Sequence, residues 1–155
     1  MSPEEFIQNV LNGQKHFKDL VFIDVKEIFT LKDYSDIIFE HCAFKGCDFS
    51  NSFFKNANLE KCFLSYSIFD DVDFRDANLN YTVMYRASLN RANMFNATLK
   101  GSIVSTRYYG KPYSINLRRI ASDLTIIPGH ILRKPYSFIS DDNAADATDA
   151  IDDSE

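Results

Sequence analysis

The chain has 155 residues, 45% hydrophobic and 25% charged, with seventeen Lys and Arg against twenty-two Asp and Glu for a net charge of −5. That is the balance of one globular domain with a tail, long enough to bury a core without disulfide or metal staples. No apolar run approaches the roughly eighteen residues of a membrane span, and Glu4 and Glu5 stand where an export signal needs bases. The three Cys form no C-x-x-C pair, so a cytoplasmic chain with reduced thiols and no membrane contact is expected.

Ser2-Pro3-Glu4-Glu5 reads as a helix start: Ser2 as N-cap, Pro3 at the first position where its missing N–H costs nothing, Glu5 completing a capping box. Phe6, Ile7, Val10 and Leu11 then line an apolar face, and Gly13 is placed to end the helix. This helix is expected to cap the body of the chain. Phe17 and Phe22, with Leu20 before the second, have the spacing of an opening partial coil. From Phe22 to Phe39 is 17 positions, no multiple of five, so a register break is expected between Asp24 and Asp36.

From Phe39 onward a bulky apolar residue recurs at every fifth position: Phe39, Phe44, Phe49, Phe54, Leu59, Leu64, Phe69, Phe74, Leu79, Met84, Leu89, Met94, Leu99 and Val104. Two places before each stands a mostly small one: Ile37, Cys42, Cys47, Ser52, Ala57, Cys62, Ser67, Val72, Ala77, Thr82, Ala87, Ala92, Ala97 and Ser102. Residues 37 to 106 thus divide into fourteen uninterrupted fives, which neither a helix period of 3.6 nor a strand period of 2 produces. The physical reading is a solenoid in which each five residues form one side and turn two side chains inward. Four sides close a coil, residues twenty apart stack at about 4.8 Å, and the second inward slot stays small because four bulky centres already fill the section.

Ala57-Asn58-Leu59 and Ala77-Asn78-Leu79 state the code in full, and the pattern resembles the pentapeptide-repeat family. The resemblance implies an all-β solenoid, a right-handed quadrilateral β-helix, with Ile37, Val72 and Thr82 departing mildly from the usual small residue. Residues 1–36 are then an N-terminal capping helix and irregular first coil, 37–106 the repeat body, 107–140 a C-terminal capping or interaction extension, and 141–155 a tail.

Past Thr106 the code stops. Residues 107–140 hold six bases and one acid, and Leu117, Ile120, Ala121, Leu124 and Ile127 have helical spacing ended by Pro128-Gly129, so a C-terminal helical extension is expected over the last coil's unpaired strand groups. Asp141 to Glu155 holds seven acids and no bases, the composition of a disordered tail. Subtracting the tail leaves a body of slightly positive charge.

No Ser or Cys has His and an acid at catalytic spacing, and all three Cys fall in the inward slot as small hydrophobes, so no enzyme activity, metal or cofactor is expected. Asp70, Asp71, Asp73 and Asp76 form the densest acidic cluster, read either as a solvated face or as a protein-contacting corner. One side, the column of Cys42, Cys62, Thr82 and Ser102, carries outward Phe63, Tyr66, Val83, Tyr85 and Ile103, which a solvated side does not need. Either the C-terminal segment covers them or they bind a partner. The expected role is a non-catalytic protein-interaction or regulatory module, its partner unidentified and direct nucleic-acid binding not expected. The family resemblance supplies an alternative: a DNA-mimicking modulator of DNA gyrase, a type II topoisomerase, or another DNA-binding protein, working as a homodimer joined through the C-terminal extension.

Overall fold

The computed structural model describes residues 1–106 and 125–126. Helix α1, Pro3–Leu11, is followed by β1 (His16–Lys18), β2 (Val21–Ile23), β3 (Ile38–Glu40), β4 (Ala43–Lys45), β5 (Val83–Ala87), β6 (Ile103–Thr106) and β7 (Thr125–Ile126). Every pairing is parallel: β1 with β3, β2 with β4, and β5, β6, β7 side by side. Single bridges at an offset of twenty residues fill the rest, such as Asp33 to Phe53 to Asp73 to Asn93 and Ile38 to Asn58 to Asn78 to Thr98. Four pentapeptides therefore make one turn of the chain, and each turn lies on the one before it.

The two-position code is the core. The thirteen centres from Phe39 to Leu99 are all at most 2% exposed, as are all fourteen residues of the small slot. Slot hydroxyls and thiols other than Thr82, which donates to Leu79 of its own coil, are satisfied by the coil below: Ser67 Oγ donates to the Phe44 carbonyl at 2.7 Å, Ser102 Oγ to that of Leu79 at 2.6 Å, and Cys62 Sγ to that of Phe39 at 3.4 Å. Small polar residues thus replace Ala there without leaving a buried donor unpaired.

Within a repeat such as Asn78-Leu79-Asn80-Tyr81-Thr82 the amides have a full set of partners. The Asn78 amide donates down to Ala57, those of Leu79 and Tyr81 donate up to Thr98 and Lys100, and the Thr82 amide closes the corner onto Leu79. The Asn80 amide donates to its neighbour's side chain, Asn78 Oδ1, at 3.0 Å. Asn58, Asp73 and Asn93 make the same Asx turn. Strands of three or more residues form where that place holds another type: His16, Val21, Ile38, Ala43, Val83 or Ile103. The side-chain acceptor is thus absent from every such strand, although Phe53, Phe63 and Ile68 at the same place make only single bridges.

Each corner has one residue at positive φ, two places after the centre, including Asp36, Asn51, Asn56, Asp71, Asp76 and Asn96. With the hydrogen bond across the corner this is type II turn geometry, which Asn and Asp tolerate better than most side chains. Tyr81 and Arg86 adopt it too.

The N-terminus is sealed by α1. Ser2 Oγ accepts from the Glu5 amide and Glu5 returns to the Ser2 amide, completing the capping box. Phe6, fully buried, lies 4.9 Å from Phe17, 5.5 Å from Phe22 and Phe29, and 6.1 Å from Tyr34, so one ring touches all four sides of the first coil. Leu11, assigned to the buried face by spacing, is 66% exposed. It occupies the last turn, beyond the coil's rim.

The opening coil is complete, not partial. Phe17 and Phe22 pair 22 residues ahead with Phe39 and Phe44, whereas Phe29 already stacks on Phe49 at the regular twenty, 5.1 Å apart. The break is thus two extra residues between Val25 and Phe29. At the other end β7 pairs with β6, Thr125 beside Ile103, again at an offset of 22. The helical spacing expected through Ile127 fails here: Thr125 and Ile126 are β-branched and take the open strand edge of β6. The remainder of the C-terminal extension and the acidic tail lie outside the described residues.

Candidate partner-binding face

Each side of the coil repeats every twenty residues, so the residue just before each centre forms an outward column. One column reads Asp33, Phe53, Asp73, Asn93; another Ile38, Asn58, Asn78, Thr98; a third Asp48, Ile68, Ser88. The fourth is apolar throughout: Val21, Ala43, Phe63, Val83 and Ile103, parallel-paired in that order. Phe63, Val83 and Ile103 from the sequence analysis are therefore successive rungs. Tyr66 and Tyr85 join them, their rings edge to face at 5.7 Å. All five named residues lie on one face.

The face is partly open. Phe63 is 42% exposed, Tyr85 40% and Val21 64%, and Ile23 adds to the patch from the first coil. Phe53, at 53% more exposed than either ring, stands alone between Asp33 and Asp73 on another side. The rim is cationic: Lys45 Nζ lies 5.9 Å from the Tyr66 ring centre and the Arg86 guanidinium 5.8 Å from that of Tyr85.

The acidic cluster is split and paired. Asp70 accepts from Ser88 Oγ at 2.5 Å and from the Asn90 amide and side chain at 3.0 and 3.1 Å. Asp71 pairs with Arg91 one coil on, Asp73 takes a forked contact from Arg75, and Asp76 accepts from Asn96 Nδ2 at 3.1 Å. The Arg91 bond holds the Asp71 carboxyl below its ordinary range. At Asp73 burial pulls upward, and Arg75 outweighs it with the same downward result.

The three cysteines are free and buried in the slot. Burial pushes Cys42 and Cys47 up to about 11 and Cys62 to about 12, so these thiols are packing, far from the thiolate a metal or a nucleophile needs. Among the described residues no group of three or more His, Cys, Asp and Glu could hold a metal ion, and no helix is long and apolar enough to cross a membrane.

The family model described as Pentapeptide repeats (8 copies) matches residues 37–76 and 67–105, the segment that carries the inward code. Residues 37–105 belong to the pentapeptide-repeat family. Among solved structures this pentapeptide-repeat chain is similar to HetL, a pentapeptide-repeat protein involved in heterocyst differentiation regulation in the cyanobacterium Nostoc sp. strain PCC 7120. There the TM-score is 0.52 at 18% identity, over 66% of this chain and 47% of that one. It is also similar to a pentapeptide-repeat protein of the Arabidopsis thaliana thylakoid lumen, at 29% identity and TM-score 0.45, over 55% and 60%. QnrB1, a plasmid-mediated fluoroquinolone resistance protein, aligns at 16% identity and TM-score 0.34, over 72% and 63%. The chain spans less than two thirds of each of these proteins. Comparison with curated protein sequences returned no match.

Proposed function

We propose that this pentapeptide-repeat protein is a non-catalytic interaction module: a rigid body, in full a right-handed quadrilateral β-helix, that offers one apolar face to a protein partner. The observation that carries the reading is the outward column Val21, Ala43, Phe63, Val83 and Ile103 with the Tyr66–Tyr85 pair beside it. Exposed aromatics on a surface fixed by backbone ladders bind with little ordering cost, and Tyr and Phe anchors concentrate binding energy. The chemistry expected of the partner is apolar side chains flanked by carboxylates, to meet Lys45 and Arg86.

The test compares two exposed phenylalanines on different sides of the coil. Phe63→Glu should abolish binding of a captured partner in calorimetry while far-UV circular dichroism is unchanged, and Phe53→Glu should leave binding intact. Equal loss from both, or from neither, removes the face from the reading. The DNA-mimicking alternative, acting on DNA gyrase through Asp70, Asp71, Asp73 and Asp76, ranks below it because Arg75 and Arg91 neutralise two of those charges. In a supercoiling assay no inhibition is expected, and inhibition abolished by Asp70→Asn with Asp76→Asn would reverse the order.

A further inference from the structure

Two opposite charges stand exposed and without an ion pair at one edge of the candidate face. Arg75 and Arg91 are committed to Asp73 and Asp71, whereas neither Arg86 nor Asp24 meets an opposite charge among the described residues. Both occupy the same corner. Asp24, Gly46, Tyr66 and Arg86 are its positive-φ residues in four successive coils, each amide of the first three donating to the coil above. Asp24 and Arg86 are thus three rungs apart, roughly 15 Å at strand spacing, too far to pair within one chain. Asp24 leans over Gly46, its carboxylate standing where a Cβ on residue 46 would be. The other charges here are cations: Lys26 donates to the Gly46 carbonyl, and Lys45 lies beside the Tyr66 ring.

Bulk on this side is matched in the same way as charge, coil against coil. In the outward column the small Ala43 of the second coil precedes the half-exposed ring of Phe63 in the third. At the corner Gly46 of the second coil precedes Tyr66 of the third, and between the two rows the long Lys45 precedes Ser65, which is recessed at 1% exposed. Each row read backwards complements itself: small falls opposite large in the second and third coils, and acid opposite base in the first and fourth. A twofold axis lying in the plane of the face, across the coils and midway between the second and third, performs that reversal. It turns the coil stack end for end while leaving each row against its own copy, so every match occurs twice. An axis running along the stack would part Asp24 from Arg86.

We propose that the partner this face accepts is a second copy of the chain, in an antiparallel twofold pair that sets Asp24 of each copy between Arg86 and Tyr66 of the other, with Phe63 over Ala43. The proposal rests on the interaction reading above and names its occupant. The shared patch is four coils long and one side wide, roughly 20 Å by 10 Å from strand spacing and rise, well under the area of a permanent dimer. The pair is therefore transient, with a dissociation constant on the order of 100 μM. Two of its contacts are ion pairs at an exposed edge, so added salt weakens it.

Sedimentation velocity of the full chain at low salt, from about 5 to about 500 μM, reads the association, and circular dichroism checks that each variant stays folded. The weight-average coefficient should rise toward that of a dimer. Asp24→Arg and Arg86→Asp should each weaken association about tenfold, because each turns two edge attractions into two repulsions. The double variant, with the charges exchanged, should return to within about twofold of the original. That restoration is the decisive result, since it requires position 24 of one copy to face position 86 of the other. A chain still monomeric at about 500 μM overturns the proposal, and so does association indifferent to the single reversals or a double variant no better than either single. Phe63→Glu separates the two readings. A monomeric chain that loses a captured partner through this change keeps the face as an interaction surface and removes only the self-pairing, whereas self-association that survives Phe63→Glu places the pair elsewhere and overturns it.

Discussion

Replacing Phe6 by Ala removes the one side chain that touches all four sides of the first coil. A buried Phe cut to Ala costs about 3–5 kcal/mol, here at the upper part of that range because five aromatic rings within 6.1 Å, Phe39 of the second coil included, lose their partner at once. In a stack of coils each layer touches only its neighbours, so the loss should fall on the end next to the cap and fade with distance. Native-state hydrogen exchange resolves this. The amides of Ile38, Ala43 and Asp48 donate to Lys15, Leu20 and Val25 of the first coil, and report whether that coil is in place. Their protection should drop about a hundredfold or more, following the conversion of about 1.4 kcal/mol per tenfold. The amides of Asn78 and Thr98, which donate to Ala57 and Ala77, should change less than threefold. An equal fall at all five positions would refute the layer-by-layer reasoning and show one cooperative unit. A loss under about 1 kcal/mol everywhere would show that α1 is not the seal.

In the small slot, Ala77→Leu should cost about 1–3 kcal/mol by overpacking a section already filled, whereas Ala77→Ser, able to donate to the coil below as Ser67 does, should stay within about 1 kcal/mol; urea melts separate the two. Below pH 9 both folded and unfolded thiols are protonated and their stabilising burial is fully present. Above it the unfolded chain loses its protons first, so stability should fall as pH rises through about 11 for Cys42 and Cys47 and on toward 12 for Cys62, and replacing all three by Ala should make that fall shallower in melts at pH 9 to 11. Gly101 sits at φ 65° under the Tyr81 ring, where an added Cβ would meet ring carbons at 2.6 and 2.7 Å, so Gly101→Ala should destabilise by about 1–2 kcal/mol, and less once Tyr81→Ala has cleared the ring; a thermodynamic double-mutant cycle without coupling would disprove that contact. Asp71→Asn should cost under about 1 kcal/mol, since its partner Arg91 is exposed, and a larger loss on thermal melting would show a structural role for that corner.

Most of the core was legible because the repeat demands two inward side chains in every five, and Phe39 through Leu99 declare them without interruption. Phe29 and Tyr34 escaped, although they stand ten and five places before Phe39, because Glu27 and Lys32 hold the slot where a small residue marks the phase. Tyr34 is nonetheless buried, its hydroxyl donating to the Phe29 carbonyl at 2.9 Å. The turn chemistry was present but unread: Asp36, Asn51, Asn56, Asp71, Asp76 and Asn96 all fall on the left-handed corner, and Asn and Asp at that phase are its signature. For the face, spacing put Phe63, Val83 and Ile103 together, since residues twenty apart must stack. It could not say that Asp71 meets an arginine, because Arg91 lies a full coil away, whereas Arg75 stands in the same repeat as Asp73, on the other side of Phe74. Nor could helical spacing near Ile127 compete with an open strand edge, a tertiary demand that no local window contains.

The hydrogen bonds between coils give the molecule a sense of time as well as direction. Each new layer leaving the ribosome finds acceptors already in place, as the Asn58 amide finds Ile37, while its own upward donors, such as Leu59, wait for residues not yet made. The nascent protein therefore grows as a template that is always finished at its first end, sealed by Phe6, and always adhesive at its last. Vectorial synthesis turns that adhesiveness into productive extension, whereas a chain refolding from denaturant exposes every layer's donors at once. Force measurements on stalled ribosomes should register folding in steps of about twenty residues once the first coil and the next have emerged. A single event near full length would mean that the layers wait for one another, and that β7, the last of the described strands to arrive, completes a nucleus and not merely an edge.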